Sequence, residues 1–569
     1  MLTRREFLQA AAAASALWGG AGTLTRAAAQ QRITQQSLLE FQPLGQVTLL
    51  HFADLHAQLV PLHYREPAVN IGVGEAAGLP PHVTGRHLLQ LYGLKAGSPE
   101  AYAFSSADFQ ALARQYGRVG GLDRIATLVK AIRAERPGKT LLLDGGDTWQ
   151  GSYTSLKERG ADMVAAQNAL GVEAMTAHWE FTYGAQRVAE LKDRLSFPFL
   201  CGNVKDTTWG EPVFDASRVF ERGGLRVAVI GQAFPYTPIA NPRWMIPDWS
   251  FGIEEDRLRG RVAEARQQGA DLVVVLSHNG FDVDRKLAAR VPGIDVLLTG
   301  HTHDAIPAPV LVGRTILVAP GSHGKFLARL DLEVRNRQVT AHRFRLIPVF
   351  ADAIAPDPEM AALVTRLRAP HAAELGRVLG RTEGLLYRRG NFNSTFDDLI
   401  CQALLTERDA QIALSPGFRW GGALLPGQEI RVEDVYNQTA ITYPSVYRNE
   451  MTGAYLKEVL EDVADNLFNP DPYYQQGGDM VRVGGLAYAI DIAQPIGKRI
   501  SDLRLTQTGA AIDPARTYVV AGWASVNEGT RGPAVYDLVA QYLARHKVVN
   551  LPEAQAVRVR GADPRSLGG

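Results

Sequence analysis

Apolar residues fall in short blocks from residue 46 to about 345, separated by stretches in which they recur every three or four positions. The blocks at Val47–Phe52, 140–143, 197–200, 225–230, 271–276 and 294–298 have the length and bounds of buried strands. Between them, Leu122–Glu135 places Ile125, Leu128, Val129 and Ile132 on one helical face. This alternation predicts an α/β fold with helices covering a buried sheet. Two shorter apolar blocks, Thr315–Val318 and 327–334, are expected to close that unit.

Pro356, Pro358 and Pro370 then bracket a helical stretch at 359–368, which reads as a connector. From about 376 a second α/β pattern begins, ending in a helical segment at 535–545. A chain of 569 residues is too long for one hydrophobic core. The expected organisation is therefore a larger domain over 40–350, a linker over 351–375 and a smaller domain over 376–569. Residues 57–118, long and rich in Gly and Pro, interrupt the first domain and read as a loop region covering a site.

The N-terminus changes the address but not the fold. Arg4 and Arg5 precede a short apolar run from Ala10 to Trp18, and Ala27-Ala28-Ala29 offers a cleavage site. Residues 1–29 are expected to be a twin-arginine type signal delivering a soluble protein to the periplasm. A membrane anchor is the alternative, and the apolar run is short for it. The net charge is +1, and losing Arg4, Arg5, Arg26 and Glu6 leaves it near zero. Such a balance gives no electrostatic reason for nucleic acid or membrane as partner. The two cysteines, Cys201 and Cys401, lie far apart in the sequence and are expected to be inert buried thiols.

Chemistry concentrates where the apolar blocks end. Five motifs occupy these places: Asp54-Leu55-His56, Gly145-Gly146-Asp147, Ala177-His178-Trp179-Glu180, Ser277-His278-Asn279-Gly280 and Gly300-His301-Thr302-His303. The crevice beyond the carboxyl ends of strands is where open α/β sheets bind ligands. Each motif alone can be a turn with a satisfied histidine. Together, two Asp and five His converging on one crevice make a site for hard-to-borderline divalent metals, open to Zn, Mn, Fe or Co. His301 and His303, two apart in an extended segment, can face one pocket.

The order of these motifs resembles that of the binuclear metallophosphoesterases, and in particular the 5′-nucleotidase branch. The resemblance implies a four-layer α-β-β-α catalytic domain followed by a smaller α/β C-terminal substrate domain. It implies one metal on Asp54, His56, Asp147 and His303, and a second on Asp147, His178, His278 and His301, with Asp147 shared. In this resemblance His178 stands in place of a metal-binding asparagine. Trp179 stands in place of the histidine that contacts the phosphoryl group. An indole can neither carry a positive charge nor relay a proton at neutral pH. Loss of such a group costs a phosphatase on the order of 10²–10⁴ in rate.

This variant, with the segments Tyr64-Arg65-Glu66-Pro67 and Gly145 to Ser152, is similar to the SoxB family of thiosulfohydrolases. That resemblance implies hydrolysis of a terminal sulfonate from a cysteine S-thiosulfonate on the SoxYZ carrier protein, with two manganese ions. Asp147 and His178 are expected to serve in catalysis, with Arg419 as the cation that meets the sulfonate oxygens. Arg419 lies in Ser415-Pro416-Gly417-Phe418-Arg419-Trp420-Gly421-Gly422, which resembles the substrate loop of the nucleotidase C-terminal domain. Trp179, Arg419, Tyr64, Arg65 and Tyr488 are expected to contact substrate, and Trp420 and Trp523 are further candidates to line its channel. A periplasmic 5′-nucleotidase or cyclic-nucleotide phosphodiesterase is the alternative reading, and a non-catalytic holder of the carrier a third.

Overall fold

The computed structural model describes residues 33–551 and 556–568, so the expected signal at 1–29 lies outside the described residues. Two sheets form the N-terminal part. The first orders its strands Gln338–Pro348, Phe326–Arg335, Val47–Phe52, Thr140–Asp144 and Ala174–Met175. The second runs Val310–Val312, Thr315–Val318, Val296–Leu298, Leu272–Ser277, Leu225–Gln232 and Ser217–Arg222. The middle strands of each sheet pair in parallel. Their motif-bearing ends therefore share one edge of each sheet.

Side-chain alternation stacks the sheets. Val227, Val229, Leu272, Val274 and Leu276 join the core that contains Leu49, Leu141 and Leu143 of the first sheet. Ala228, Ile230, Val273 and Val275, pointing the other way, pack on the helices Glu255–Gln267 and Phe281–Arg290. Strands buried on both faces explain why these blocks carry no polar alternation in the sequence. With Leu122–Glu135 packed on the first sheet, the order is helix, sheet, sheet, helix.

Two expectations are corrected. The block 197–200 forms only isolated bridges, Met175 to Phe199 and Leu200 to Asp215, because its strand partner Ala174–Met175 is two residues long. The 57–118 segment is not an unstructured cover. It folds into the helices Gly85–Tyr92, Pro99–Phe104 and Phe109–Tyr116. Phe104 stacks on Phe326 at 4.9 Å, and Tyr102 stacks on Phe350 at 6.1 Å. Their ring area, rather than a long apolar run, holds the segment against the first sheet.

After the helix Pro358–Arg368, a four-stranded sheet of Val446–Thr452, Thr517–Trp523, Ile412–Ser415 and Arg482–Gly484 forms the centre of the C-terminal part. Helices Thr395–Arg408 and Val535–His546 pack in one apolar cluster of this part, and Gly453–Phe468 in another. Cys201 and Cys401 are both buried and free, and burial pushes both thiols well above their usual range. No helix among the described residues is long and apolar enough to cross a membrane.

Candidate metal centre

Each of the five motifs leaves the carboxyl end of a parallel strand and turns sharply. The turns put non-glycine residues into left-handed backbone: Asp54 at φ 54°, His56 at 47°, Asp147 at 56°, His301 at 74° and His303 at 59°. Such conformations cost of order 1–3 kcal/mol each and persist where surrounding contacts over-determine them. Here those contacts are visible. Asp54 N–H donates to the Gly146 carbonyl, His56 N–H to the Asp147 carbonyl, and His323 N–H to the Asp54 carbonyl, each at 2.8 Å.

These turns bring the seven side chains together. Ligand atoms of Asp54, His56, Asp147 and His303 lie within 4.8 Å of one another, as do those of Asp147, His178, His278 and His301. Asp147 belongs to both groups. Its Oδ2 stands 3.1 Å from His278 Nε2, 3.2 Å from His178 Nδ1 and 3.8 Å from His56 Nε2. Its Oδ1 is held aside by the Trp179 N–H at 2.8 Å. Asp54 Oδ1 is 3.3 Å from His303 Nε2 and 3.7 Å from His278 Nε2.

The hydrogen bonding among these groups fits two divalent metals. His56 Nε2 and His303 Nε2 face each other at 3.0 Å, and both Nδ1 atoms are buried without a partner. Both nitrogens of His301 and Nε2 of His178 are equally orphaned. Buried polar atoms are rarely left so, and cations among them would satisfy several at once. His278 shows the supporting contact of a metal-binding imidazole: its Nδ1 donates to the Gly145 carbonyl at 2.6 Å, leaving Nε2 aimed at Asp147. The clusters are compatible with a dinuclear metal site.

Electrostatics agree with a centre built for cations. Burial opposes ionisation of Asp147, but His178 and His278 outweigh it and hold the carboxyl well below its usual range. Burial also works against protonated His278, yet Asp147 and Asp54 push it up to about 10. Burial takes His56 down to about 4, and His301 and His303 well below 6.5. Burial raises the Asp54 carboxyl well above its usual range, so without metal the proton on His278 serves as counter-charge chiefly to Asp147.

Sequence reasoning missed several supporting residues. Glu180 accepts N–H groups from Thr148 at 2.7 Å and His178 at 2.8 Å, with Asp147 and Trp149 at 3.3 Å, so one carboxylate shapes two of the motif turns. Phe234 stacks on His301 and leans over His178, each at 4.1 Å between centroids. His323 packs 5.4 Å from His56 and 4.5 Å from Tyr64. Only Glu180 lay inside a quoted motif; the other two follow strands or loops with no distinguishing pattern.

The C-terminal part supplies the opposite wall. Arg419 donates to the His301 carbonyl at 3.3 Å and to the Gly478 carbonyl, and its Nε pairs with Asp479 Oδ1 at 3.4 Å. Each terminal nitrogen retains a second N–H. A narrow cavity runs between His301, Thr302, Asn391, Arg419, Gly477 and Gly478. Gly477, at φ 81°, lies so near that a Cβ would meet His301 Nε2 at 2.0 Å. Trp420 stacks over His56 at 5.5 Å. Trp179 packs edge-on to Phe418 at 5.2 Å and to Trp420 at 5.3 Å. Trp523 meets Phe418 and donates to Ser415 Oγ at 2.8 Å.

Other predicted contacts land elsewhere. Tyr64 is buried against His323, with its hydroxyl taking a bond from Ser322 Oγ at 2.9 Å. Arg65 lies over the Tyr387 ring at 4.2 Å. Tyr488 fills an apolar cluster with Leu456, Leu460 and Tyr518. Tyr64 and Tyr488 thus both sit buried in apolar clusters, where ring area stabilises most.

This two-sheet fold, with seven Asp and His side chains at the strand ends, defines a hydrolase of the binuclear metallophosphoesterase class. The model of the family "5′-nucleotidase, C-terminal domain" matches residues 378–539. The chain is similar to the sulfate thiohydrolase SoxB of Thermus thermophilus, solved with glycerol: 38% identical, TM-score 0.88, covering 92% of this chain and 98% of that one. It is also similar to a 5′-nucleotidase precursor from the same organism, at 22% identity and TM-score 0.72, over 91% of this chain and 100% of that one, a likeness of fold. The 5′-nucleotidase of Bos taurus is 26% identical over 68% of this chain and 73% of its own. The chain belongs to the SoxB family, within the 5′-nucleotidase-like branch.

Proposed function

We propose that this protein hydrolyses the terminal sulfonate of a cysteine S-thiosulfonate borne on the SoxYZ carrier, releasing sulfate, in the periplasm after twin-arginine export. Residues 40–350 serve as the catalytic domain, 351–375 as linker and 376–569 as substrate domain. The observation that carries this reading is Trp179. It stands beside the shared carboxylate Asp147, donates its backbone N–H to it, and buries its indole against Phe418 and Trp420.

Asp54, His56, Asp147 and His303 would hold one divalent cation and Asp147, His178, His278 and His301 the other, manganese by family likeness, the pair supplying Lewis acidity and a nucleophilic water at neutral pH. The chain itself positions and shields the reactants. Arg419, anchored by Asp479 and the His301 carbonyl, offers its remaining N–H groups to sulfonate oxygens in a planar fork. Water attacks the sulfonate sulfur, the sulfur–sulfur bond breaks, and the persulfide departs with the electron pair, while the water's two protons pass to solvent and sulfate forms.

A persulfide is a more stable anion than an alkoxide and needs no proton donor, which makes an indole tolerable where a phosphatase needs a histidine. Trp179, Phe418, Trp420 and Phe234 keep bulk water from the site and strengthen its electrostatics.

The test is sulfate release from a carrier-bound cysteine thiosulfonate by the manganese-loaded protein, run beside AMP and bis-p-nitrophenyl phosphate. Sulfate release with little phosphate-ester turnover is expected. Faster turnover of AMP would replace this reading with a nucleotidase, and carrier binding without sulfate would replace it with a holder.

A further inference from the structure

His323 is one of the most heavily engaged side chains beside the metal centre that is not itself grouped with the ligand atoms. It is buried, sits in left-handed backbone at φ 57°, and its N–H holds the Asp54 carbonyl at 2.8 Å. Its ring lies between His56, at 5.4 Å, and Tyr64, at 4.5 Å with 30° between the ring planes. Both ring nitrogens are used. Nε2 accepts the Gly421 backbone N–H at 3.0 Å, and Nδ1 meets Ser322 Oγ at 2.9 Å. A backbone N–H can only donate, so Nε2 carries the lone pair and Nδ1 the proton. The chain then reads in one direction: Nδ1–H to Ser322 Oγ, and Ser322 O–H to Tyr64 Oη at 2.9 Å.

Three parts of the chain meet at this one imidazole. Tyr64 comes from the inserted segment and Ser322 with His323 from the loop before Phe326–Arg335. Gly421 comes from the C-terminal loop that also carries Arg419 and Trp420. Gly421 follows Trp420, which stacks on the ligand-group residue His56 at 5.5 Å. The Gly421 bond is therefore a register point between the C-terminal loop and the metal centre. The loop has few other polar ties to the N-terminal part: Arg419 to the His301 carbonyl, and Ala423 N–H to the His63 carbonyl at 2.7 Å.

We propose that His323 is a positioning residue: by accepting the Gly421 amide it sets Trp420 over His56 and so brings Arg419 into line with the metal centre. The inference deepens the reading of the site given above and rests on it for the identity of the substrate. The geometric part stands apart from that identity. Glutamine at 323 can put an amide oxygen near the position of Nε2 and keep the Gly421 bond. Asparagine is too short to reach it, yet matches Nδ1 and is the residue most at ease in left-handed backbone.

The experiment compares His323→Asn, His323→Gln and Ser322→Ala with the unmodified chain, each freed of metal and then titrated with Mn2+. Paramagnetic quenching of tryptophan emission reports how near Trp420 sits to the bound ions, with Trp420→Phe defining its share. His323→Asn is expected to lose most of that share and about tenfold in sulfate-release kcat/KM, as befits one lost buried hydrogen bond. His323→Gln is expected to keep both within about threefold. Ser322→Ala leaves the imidazole in place but removes the acceptor of its Nδ1–H, which loosens the ring, and is expected to lose part of the quenching; it guards against a folding artefact at 323. Unchanged quenching in His323→Asn and Ser322→Ala overturns the proposal, and so does equal loss in the Asn and Gln variants. If the protein releases no sulfate at all, the substrate reading fails while the quenching still decides the role of His323.

Discussion

His56 and His303 face one another Nε2 to Nε2 at 3.0 Å, and neither ring has a partner for its Nδ1. Two neutral imidazoles in this arrangement can share one proton between the facing atoms, and they leave further polar atoms unsatisfied in a buried site. A cation between them and the carboxylates resolves the conflict. The proton on His278, held by Asp147 and Asp54 up to about 10, is then displaced. Loading divalent metal at pH 8 is therefore expected to release about one proton per chain from this group, measurable by calorimetry in buffers of different ionisation enthalpy. The sign follows: affinity rises with pH up to that pKa. Binding with no proton release at pH 8 would contradict this account of the counter-charge.

Trp179→His places an ionisable ring next to His178, whose ring lies 4.9 Å from the indole, where the family resemblance has a histidine. Hydrolysis of AMP or p-nitrophenyl phosphate is expected to rise at least about tenfold, the low end of what a general acid supplies, because Phe418 and Trp420 still crowd the position. Sulfate release should fall or hold. Steady-state assays on both substrates read the exchange.

Arg419→Lys keeps the charge and loses the fork. Sulfate-release kcat/KM is expected to fall about 10- to 100-fold. The melting temperature should barely move, since Asp479 keeps Arg482 at 2.9 Å and Asn391 at 3.1 Å. A large drop in stability instead would make Arg419 a structural residue.

Glu180→Gln removes one of two carboxylate oxygens that together receive four backbone N–H groups. The new amide N–H would face donors it cannot pair with. A loss of about 2 kcal/mol in unfolding free energy and at least about tenfold weaker metal binding are expected. Denaturant titration and metal analysis of the dialysed protein check both.

His51 offers a pH prediction outside the proposed ligands. Its nitrogens face the Leu143 and Thr299 carbonyls at 3.2 and 3.3 Å, and burial lowers its pKa from 6.5 to about 4. The unfolded chain binds this proton first, so the folded state loses stability as pH falls from 6.5 toward 4, by about 3 kcal/mol at most. Above pH 6.5 this contribution is complete. His51→Gln should flatten the slope of unfolding free energy against pH across that window.

The periodicity of the chain determined the elements that depend on local pattern. Val47–Phe52 and Leu122–Glu135 occupy the residues their apolar spacing predicts, because a strand buried on both faces and an amphipathic helix each write their environment into neighbouring positions. The grouping of Asp54, His56, Asp147, His178, His278, His301 and His303 was legible for a related reason: parallel strands deliver their carboxyl ends to one edge. Tertiary structure alone decided the rest. The 197–200 block has strand composition but too short a partner to pair with. The 85–116 helices depend on Tyr102 and Phe104 finding Phe350 and Phe326 hundreds of residues away. Glu180 and His323 act through backbone amides that no side-chain pattern records. Contacts made by backbone groups and by distant rings leave no period in a sequence, so they become visible only when the chain is folded.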